Sequence, residues 1–282
     1  MDITPFHALA CPLDGGTLRR EGGSWRCAAG HAFDIAAQGY ANLLPVQRKR
    51  SRDPGDSKEM VAARRRFLEA GHYRPIADAV AQALRAGLPP GADAACLDAG
   101  CGEGYYLRRL AAAAGDARLA LLGIDISKWA VLAAAKTERR IAWVVGSNAR
   151  LPVLDASLDR VLCMFGFPVY AEFARVLRSG GELLQVDAGL DHLRELREII
   201  YPELKPKRTE SAPVPAGFAH LGDEALRYRI ALAEPAAIAD LLAMTPHLHR
   251  ASAEGRAKAA ALSALELTID VRLSRFARRL QA

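Results

Sequence analysis

Residues 97–106 read Leu-Asp-Ala-Gly-Cys-Gly-Glu-Gly-Tyr-Tyr, and residues 123–127 read Gly-Ile-Asp-Ile-Ser. Each stretch closes a short apolar run that ends in an acid, Asp98 or Asp125, as the buried strands of an α/β sheet do. Alternate glycines then let the backbone turn sharply and approach a ligand closely. These glycines are Gly100, Gly102 and Gly104. Because ligands of open α/β sheets bind outside the carboxyl ends of the strands, the two stretches predict one shared ligand site.

The spacing of the glycines indicates which ligand this site takes. Dinucleotide-binding loops carry G-x-G-x-x-G, whereas this chain has G-x-G-x-G preceded by Asp98. An acid in that place suits a ligand with a cationic amino-acid end better than a pyrophosphate. We therefore predict S-adenosylmethionine (SAM) and a methyltransferase, with a nicotinamide site as the alternative. Asp98 would hold the ammonium group and Asp125 the ribose hydroxyls, although Asp125 also suits a helix N-cap before Ser127.

Other residues are assigned to the same cofactor site. Tyr106 ends the glycine-rich stretch, and Asn148 and Ala149 follow the third predicted strand, where adenine would lie. Asn148 is equally well explained as a turn residue. His72 and Tyr73 precede the first strand and would close over the cofactor, or would only pack the preceding helices.

Composition restricts the class of protein. The chain has 282 residues, a formal net charge of +6 and five scattered cysteines, which do not suit a disulfide framework. No segment approaches the length of a transmembrane span, and the first residues lack the order of a signal peptide. We therefore expect a cytoplasmic, membrane-free protein of one or two domains with an anionic partner.

Three regions are predicted. Residues 1–40 suit small β-hairpins, residues 41–88 a basic linker with helices, and residues 89–282 the methyltransferase domain. Residues 47–66 contain eight basic and three acidic side chains, and therefore nearly all of the net charge. A helix is expected after an N-cap arrangement of Asp56 and Glu59, ending at Gly71, and a second helix near 75–84.

From residue 94 onward, strands alternate with helices, which predicts a doubly wound, mostly parallel seven-stranded sheet of α/β class. The strands are predicted at 94–98, 119–124, 141–145, 158–164, 182–187, 225–232 and 265–274. The helices are predicted at 103–114, 127–138, 169–178, 190–200 and 234–243, with a loop at 202–222.

The N-terminal region contains two knuckle-like pairs, Cys11-x2-Asp14 and Cys27-x3-His31. Their spacing resembles a zinc ribbon, in which four ligands close a tetrahedron. Asp14 stands where a second cysteine is usual, but a carboxylate oxygen also ligates zinc. The alternative is a hairpin turn at Asp14 with two small buried cysteines. A module this small then needs another source of stability, such as docking on the main domain.

A longer pattern is more specific. Residues 27–47 read Cys-x3-His-x-Phe-Asp-x-Ala-x2-Gly-Tyr-x-Asn-Leu-Leu-Pro-Val-Gln, and residues 49–57 read Lys-Arg-Ser-Arg-Asp-Pro-Gly-Asp-Ser. Residues 63–73 follow with Ala-Arg-Arg-x-Phe-Leu-x-Ala-Gly-His-Tyr, and Met244-Thr-Pro lies near the other end. Together with the glycine-rich stretch, this pattern resembles the bacterial 23S rRNA guanine-N1-methyltransferase family over nearly the whole chain.

The resemblance implies a class I SAM-dependent methyltransferase with an N-terminal zinc ribbon. It implies methyl transfer to N1 of a guanine in a domain II hairpin loop of 23S rRNA, and a homodimer. The substrate is either 23S rRNA itself or a ribosomal precursor particle. Two departures stand out, namely Asp14 and the tetrapeptide Phe165-Gly166-Phe167-Pro168, in the region that lines the acceptor pocket of such enzymes.

Three residues are candidates for a part in catalysis. Asp187 ends the fifth strand and could take the N1 proton, or could only cap the next helix. Phe165 and Phe167 could stack on an extruded guanine, or could belong to the core. Seven basic residues are predicted to contact RNA phosphates rather than only to form a solvated face. They are Arg48, Lys49, Arg50, Arg52, Arg64, Arg65 and Arg66.

Two other functions share the SAM motifs. One is methyl transfer to a small, quinone-type molecule, which needs neither the basic linker nor the ribbon. The other is an RNA-binding module that retains SAM without turnover, which the intact glycine loop and Asp125 disfavour.

Overall fold

The computed structural model describes residues 2–48, 51, 53–89, 91, 93–204 and 213–279. The N-terminal region has five short strands, and the middle three form a separate antiparallel sheet. The strands are β1 (Asp2–Thr4), β2 (Arg19–Glu21), β3 (Ser24–Arg26), β4 (Ala32–Asp34) and β5 (Tyr40–Asn42). A 3-10 turn over Val46–Arg48 follows. Lys49, Arg50 and Arg52 of the predicted RNA contacts lie outside the described residues.

Two helices cross the linker region, α1 (Lys58–Glu69) and α2 (Arg74–Arg85). The prediction of Asp56 as the N-cap of α1 is wrong by one residue. The Ser57 hydroxyl accepts a hydrogen bond from the Met60 amide at 3.3 Å, which satisfies one of the free amides at the helix start. Asp56 is drawn instead toward the main domain, where its carbonyl accepts a 2.7 Å hydrogen bond from the Ser127 hydroxyl.

The main sheet contains the seven predicted strands. They are β6 (Asp93–Ala99), β7 (Arg118–Asp125), β8 (Ala142–Val145), β9 (Leu158–Met164), β10 (Leu177–Ala188), β11 (Phe218–Leu232) and β12 (Leu265–Arg278). Their spatial order is β8-β7-β6-β9-β10-β12-β11, parallel up to β10 and antiparallel beyond it. The predicted loop at 202–222 is too long, because β11 already begins at Phe218.

The remaining helices cover the sheet. They are α3 (Tyr105–Ala112), α4 (Lys128–Thr137), α5 (Tyr170–Val176), α6 (Arg194–Ile200), α7 (Pro235–Met244), α8 (His247–Arg250) and α9 (Ala253–Ala260). The last two are not anticipated by the sequence analysis. Helix α6 begins four residues later than predicted, because Leu193 adopts a left-handed conformation with φ of 53°. The residues before it, including His192, therefore form a loop at the end of β10.

The N-terminal region is docked on the sheet. Strand β5 pairs in parallel with β8, and β1 pairs in parallel with β7, so that nine strands form one sheet. Phe6, Leu9 and Leu18 share a buried cluster with Leu97 and Ile124 of the central strands. The docking that so small a module requires is therefore present. Among the described residues, none of the helices is long and apolar enough to cross a bilayer.

Candidate functional site

A cavity of about 470 Å³ opens at the carboxyl ends of β6, β9 and β10. One end is lined by Gly100 and Gly102 of the loop after β6. The other end is lined by Phe165, Asp187 and His192, which follow or end β9 and β10. Arg64 and Leu68 of α1, residues 244–247 and Arg250 also line the cavity. The cavity therefore lies where an open α/β sheet places its ligand.

Gly104 lies at the start of α3, away from this lining. A Cβ on Gly104 would lie 2.4 Å from Cη2 of Trp143, and Gly104 has a φ of 83°. The Trp143 side chain fills the space beneath the loop and is itself buried. The third glycine of the motif therefore serves the packing of helix against sheet, while Gly100 and Gly102 line the cavity.

Asp98 is the most unusual charge of the site. It is 0 % exposed, and neither of its carboxylate oxygens accepts a hydrogen bond from the described residues. Burial, together with the nearby charge of Asp125, raises its pKa to about 8. A buried carboxylate without a partner is costly, and a cationic group behind the glycine loop would compensate it. This property fits the ammonium group of SAM.

Asp125 combines the two roles considered for it. Its Oδ2 accepts a 2.9 Å hydrogen bond from the Gly102 amide, and its Oδ1 accepts one of 2.8 Å from the Ser127 amide. Burial raises its pKa, while the two amides and the Arg64 guanidinium oppose that shift. A carboxylate has about four acceptor positions, so two remain for ligand hydroxyls.

Arg64 reaches the cavity instead of the open surface. Its Nη2 forms a 2.8 Å ion pair with Asp56 and donates a 3.0 Å hydrogen bond to the Met244 carbonyl. Its Nη1 would lie 3.3 Å from a Cβ on Gly102. The turn at Asp56, tied to Ser127, thus brings a guanidinium over the glycine loop. The sequence analysis assigned Arg64 to RNA because only its charge, and not its neighbours, was visible.

The other predicted cofactor residues are placed as follows. Tyr73 and Tyr106 line the cavity. The Asn148 amide lies beside Gly100, whereas Ala149 is exposed in the next turn. His72 lies against Phe67, with ring centroids 4.7 Å apart, and is outside the lining.

The other end of the cavity contains Asp187. Its Oδ2 accepts a 2.7 Å hydrogen bond from the Gln185 amide, and Gln185 Oε1 accepts a 2.9 Å hydrogen bond from the Tyr170 hydroxyl. These two linked hydrogen bonds fix the carboxylate at the end of β10, on the edge of the sheet that the sequence predicts. Phe165 is 40 % exposed in the cavity wall, whereas Phe167 is 88 % exposed and lies outside the lining.

Several residues at this end of the cavity are not predicted from the sequence. His192 is buried between Phe165 and Tyr73, and Arg197 and Arg250 line the outer part of the cavity. For His192 a signal was available, since it follows the fifth strand by only four residues. The predicted helix at 190–200 concealed it. Arg250 carries no such signal, because only the course of the chain after α7 brings it near.

The arginine run 64–66 divides into three environments. Arg64 faces the cavity, as described. Arg66 forms a two-point ion pair with Asp240 of α7, with distances of 2.8 and 2.5 Å. Arg65 is exposed. Of the three, only Arg65 projects from α1 without an ion pair within the part of the chain that the structure describes.

Four side chains of the N-terminal region meet as the spacing predicts. The ligand atoms of Cys11, Asp14, Cys27 and His31 all lie within 4.8 Å of one another. His31 Nδ1 lies 3.6 Å from Cys11 Sγ and 3.4 Å from Cys27 Sγ. These separations match the edge of about 3.5 Å expected between sulfur and nitrogen ligands of tetrahedral zinc.

Asp14 serves both the turn and the cluster. Its Oδ1 accepts a 2.8 Å hydrogen bond from the Gly16 amide, whereas Oδ2 lies 3.0 Å from His31 Nδ1 and 3.2 Å from Cys27 Sγ. The Gly16 amide is the main reason why the pKa of Asp14 is lowered to about 2. The residue is thus an ionised carboxylate with one oxygen directed at the cluster, and the four side chains fit a zinc ion.

Comparisons with known proteins agree with this architecture. A family profile described as "RlmA, N-terminal" matches residues 9–52, and one described as "Methyltransferase domain" matches residues 96–181. The first covers the cysteine and histidine cluster, and the second covers the glycine loop, Asp125 and β9. These matches confirm the predicted zinc-ribbon-like domain and the α/β methyltransferase fold of class I, whose cofactor is SAM.

Three relatives resemble the chain over most of its length. The Bacillus subtilis protein YxjB, provisionally named a 23S rRNA (guanine-N(1)-)-methyltransferase, is 34 % identical over 94 % of this chain and 95 % of its own. The 23S rRNA (guanine(748)-N(1))-methyltransferase of Streptomyces fradiae is 38 % identical over 67 % and 66 %. A Micromonospora griseorubida protein with the same provisional name as YxjB is 35 % identical over 98 % of both chains. The chain therefore belongs to the 23S rRNA (guanine-N1)-methyltransferase family.

Proposed function

We propose that this enzyme transfers the methyl group of SAM to N1 of a guanine in a domain II hairpin loop of 23S rRNA. The observation that carries the proposal is a single cavity with two chemically different ends. One end is lined by the glycine loop, which directly follows the buried and uncompensated Asp98 of β6, and the other has an aromatic wall and the Asp187 carboxylate. The names of the relatives at 34–38 % identity support the choice of acceptor.

The cofactor end has a group for each part of SAM. Asp98 would pair with the ammonium group, Arg64 with the carboxylate and Asp125 with the ribose hydroxyls. Gly100 and Gly102 would let the ligand approach the backbone. When bound, SAM supplies a sulfonium-activated methyl group, so that the protein has to position the acceptor and remove its proton.

The acceptor end has a base and a stacking surface. Guanine N1 carries a proton at neutral pH, and this proton has to leave when the methyl group is transferred. Asp187 would accept it, because Gln185 and Tyr170 fix the carboxylate at the cavity wall. Phe165 would stack on the extruded base, and the exposed Phe167 on a neighbouring one. Alignment of N1 with the methyl group supplies much of the rate in such reactions.

RNA would be held by cations around the mouth of the cavity. Arg65 projects from α1, and Arg197 and Arg250 line the outer part of the cavity. The basic side chains of residues 48–52 would add phosphate contacts. Such contacts position RNA without reading its sequence. We further propose that the enzyme acts in the cytoplasm as a homodimer, on 23S rRNA or on a ribosomal precursor particle.

The N-terminal cluster would bind one zinc ion through Cys11, Asp14, Cys27 and His31. Metal analysis of the purified protein by mass spectrometry should give about one zinc per chain. The Asp14→Cys variant restores the usual donor and should lose its zinc to a chelator more slowly than the wild type. Zinc-free protein from cells grown with ample zinc would contradict this assignment.

The proposed function is tested with radiolabelled SAM and 23S rRNA from cells that lack the modification. Primer extension then maps the product, because a methyl group on N1 blocks Watson–Crick pairing and stops reverse transcriptase. A new stop at one guanine of the domain II hairpin is the expected result. If naked rRNA stays unlabelled, ribosomal precursor particles are assayed next. Absence of label in both substrates, with SAM still bound, would overturn the proposal.

A further inference from the structure

His192 lies in an aromatic setting at the acceptor end of the cavity. Its ring stacks on Phe165 with a centroid distance of 5.6 Å and an interplanar angle of 27°. Its Nε2 lies 3.3 Å from the Tyr73 hydroxyl. Tyr73 comes from the turn before α2, and Phe165 follows β9. Three segments far apart in the chain thus meet, and their side chains line the same cavity as Asp187.

The hydrogen-bond directions around His192 follow from one backbone contact. The Asp270 amide donates a 3.3 Å hydrogen bond to Nδ1. An amide N–H only donates, so Nδ1 is the acceptor, and the neutral imidazole carries its hydrogen on Nε2. Nε2 therefore donates to the Tyr73 oxygen. The hydrogen of the Tyr73 hydroxyl is left to point away from His192.

Tyr73 remains a hydroxyl under working conditions. Burial is the main reason why its pKa is raised well above the usual value. The side chain is 3 % exposed, yet it forms part of the cavity lining. It therefore offers a desolvated, neutral donor whose oxygen is already held by His192. A fixed donor in a water-poor site stabilises developing negative charge better than the same group does in water.

The loop that holds His192 is fixed and strained. The Asp191 amide donates a 2.9 Å hydrogen bond to the Asp270 carboxylate, which ties the loop to β12. Phe165 and Leu193 adopt positive φ values of 48° and 53°. Left-handed backbone at non-glycine residues costs free energy and is concentrated at functional sites. Phe165 stacks on His192 and Leu193 directly follows it, so both strained residues adjoin His192. This concentration of strain indicates that the position of His192 has a functional role.

We propose that the Tyr73 hydroxyl, oriented by His192, donates a hydrogen bond to O6 of the acceptor guanine and stabilises the negative charge that O6 gains during transfer. This inference rests on the proposed function.

In the methyl transfer step, the N1–H bond of the guanine breaks and the proton passes to Asp187. The electron pair left on the N1–C6–O6 system forms the new N1–CH3 bond. The S–CH3 bond breaks, its electron pair stays on sulfur, and a neutral thioether leaves. Tyr73 is then a catalytic residue, and His192 is a positioning residue.

The first experiment separates kcat from KM. Tyr73→Phe removes only the hydroxyl and should lower kcat about 100-fold, the value of one donor of this kind. The KM for RNA and the Kd for SAM should stay near those of the wild type. Tyr228→Phe is the matched control, because its hydroxyl donates to the His72 carbonyl outside the cavity lining. It should retain the wild-type kcat.

Variants of His192 test the positioning role. His192→Gln keeps an N–H that can donate to Tyr73 and should retain most of the activity. His192→Leu removes the donor and should lower kcat about tenfold, the value of one hydrogen bond. Thermal unfolding of all variants shows whether folding is intact. Equal losses in the Gln and Leu variants at equal stability would overturn the positioning role.

A modified substrate tests the contact with O6 itself. An RNA hairpin that the wild type methylates is prepared with 6-thioguanosine at the acceptor position. Sulfur accepts hydrogen bonds poorly, and N1 of thioguanine is more acidic, so the penalty of Tyr73→Phe should shrink. The same penalty on both substrates, or a loss confined to SAM affinity, would overturn the proposal. Failure of the wild type on every RNA would instead count against the proposed function.

Discussion

The two ends of the cavity are assembled in different ways. The cofactor end comes from neighbouring pieces of chain, since Asp98 to Gly104 and Asp125 to Ser127 follow adjacent parallel strands. The acceptor end combines Tyr73, Phe165, Asp187 and His192, which are separated by up to 119 residues. The first end is held by backbone hydrogen bonds and by glycine conformations. The second end is held by side chains that contact one another.

This difference indicates which functions a sequence motif can carry. Backbone amides of a tight turn can bind SAM in almost any methyltransferase, so the cofactor end says little about the substrate. The other end, where we propose that the acceptor binds, depends on how distant segments pack. Substitutions at the acceptor end should therefore affect turnover, while those at the cofactor end should affect SAM affinity or stability.

The largest expected effect is on turnover at the acceptor end. Asp187→Asn should lower kcat about 1,000-fold, because loss of a general base costs that order of rate. SAM affinity, measured by calorimetry, should stay unchanged. Asp223→Asn on the distal strand β11 is the control and should behave as the wild type. A kcat that stays within about tenfold of the wild type would remove Asp187 as the base.

The next effect is on stability at the cofactor end. In Gly104→Ala the new methyl group would lie 2.4 Å from Trp143 Cη2, at a φ of 83°. We expect a loss of about 3 kcal/mol in the free energy of unfolding, measured by urea denaturation. Gly39→Ala is the control, since Gly39 has a φ of 98° but no atom within 4 Å of the added Cβ. It should lose about 1 kcal/mol from backbone strain alone. Equal losses of stability in the two variants would mean that the Trp143 side chain moves aside for the added methyl group.

Substitution of two adjacent arginines should affect two different ligands, SAM for Arg64 and RNA for Arg65. Arg64→Ala removes charged hydrogen bonds at the cavity and should weaken SAM binding about 10- to 100-fold. Arg64→Ala should not change the salt dependence of RNA binding. Arg65→Ala should leave SAM affinity unchanged and lower the slope of log K against log salt by about one. If Arg64→Ala instead lowered the salt slope and left SAM affinity unchanged, Arg64 would belong to the RNA interface.

A pH dependence of SAM binding is expected as well. The pKa of Asp98 is about 8 in the free protein, so its carboxyl is mostly neutral at pH 6. If it pairs with the ammonium group, SAM affinity should rise by up to about tenfold per pH unit from pH 6 to pH 8. Above pH 8 affinity should fall again, because the amino group of SAM loses its own proton. Calorimetry across this range should show no rising limb for Asp98→Asn.

The raised pKa of Asp98 also affects the stability of the SAM-free protein. The pKa of Asp98 is raised above its unfolded value of 3.8, so the folded chain binds the extra proton. The stability due to this group is fully present below about pH 4 and is lost as the pH rises toward 8. Added SAM should remove this loss. Urea denaturation at pH 6 and pH 8, with and without SAM, measures both effects.

The strands of the sheet and the glycine loop were predictable from the sequence because both are local. An apolar run ending in an acid, followed by alternate glycines, fixes a strand, a turn and a helix start with little help from distant residues. The clustering of Cys11, Asp14, Cys27 and His31 was also predictable, since two knuckles fix their own geometry. Helix starts were less certain, because a left-handed residue such as Leu193 delays α6 without any signal in the periodicity.

By itself, the sequence determined the α/β fold, the glycine loop with Asp98 and Asp125, the four clustered side chains of the N-terminal region and the concentration of positive charge in residues 47–66. The tertiary structure alone decided that Arg64 turns to the cavity, that Arg66 pairs with Asp240 and that Tyr73 meets His192. The physical reason is the range of the interactions. Backbone turns depend on a few neighbouring residues, whereas ion pairs and side-chain hydrogen bonds depend on partners that only packing brings within reach.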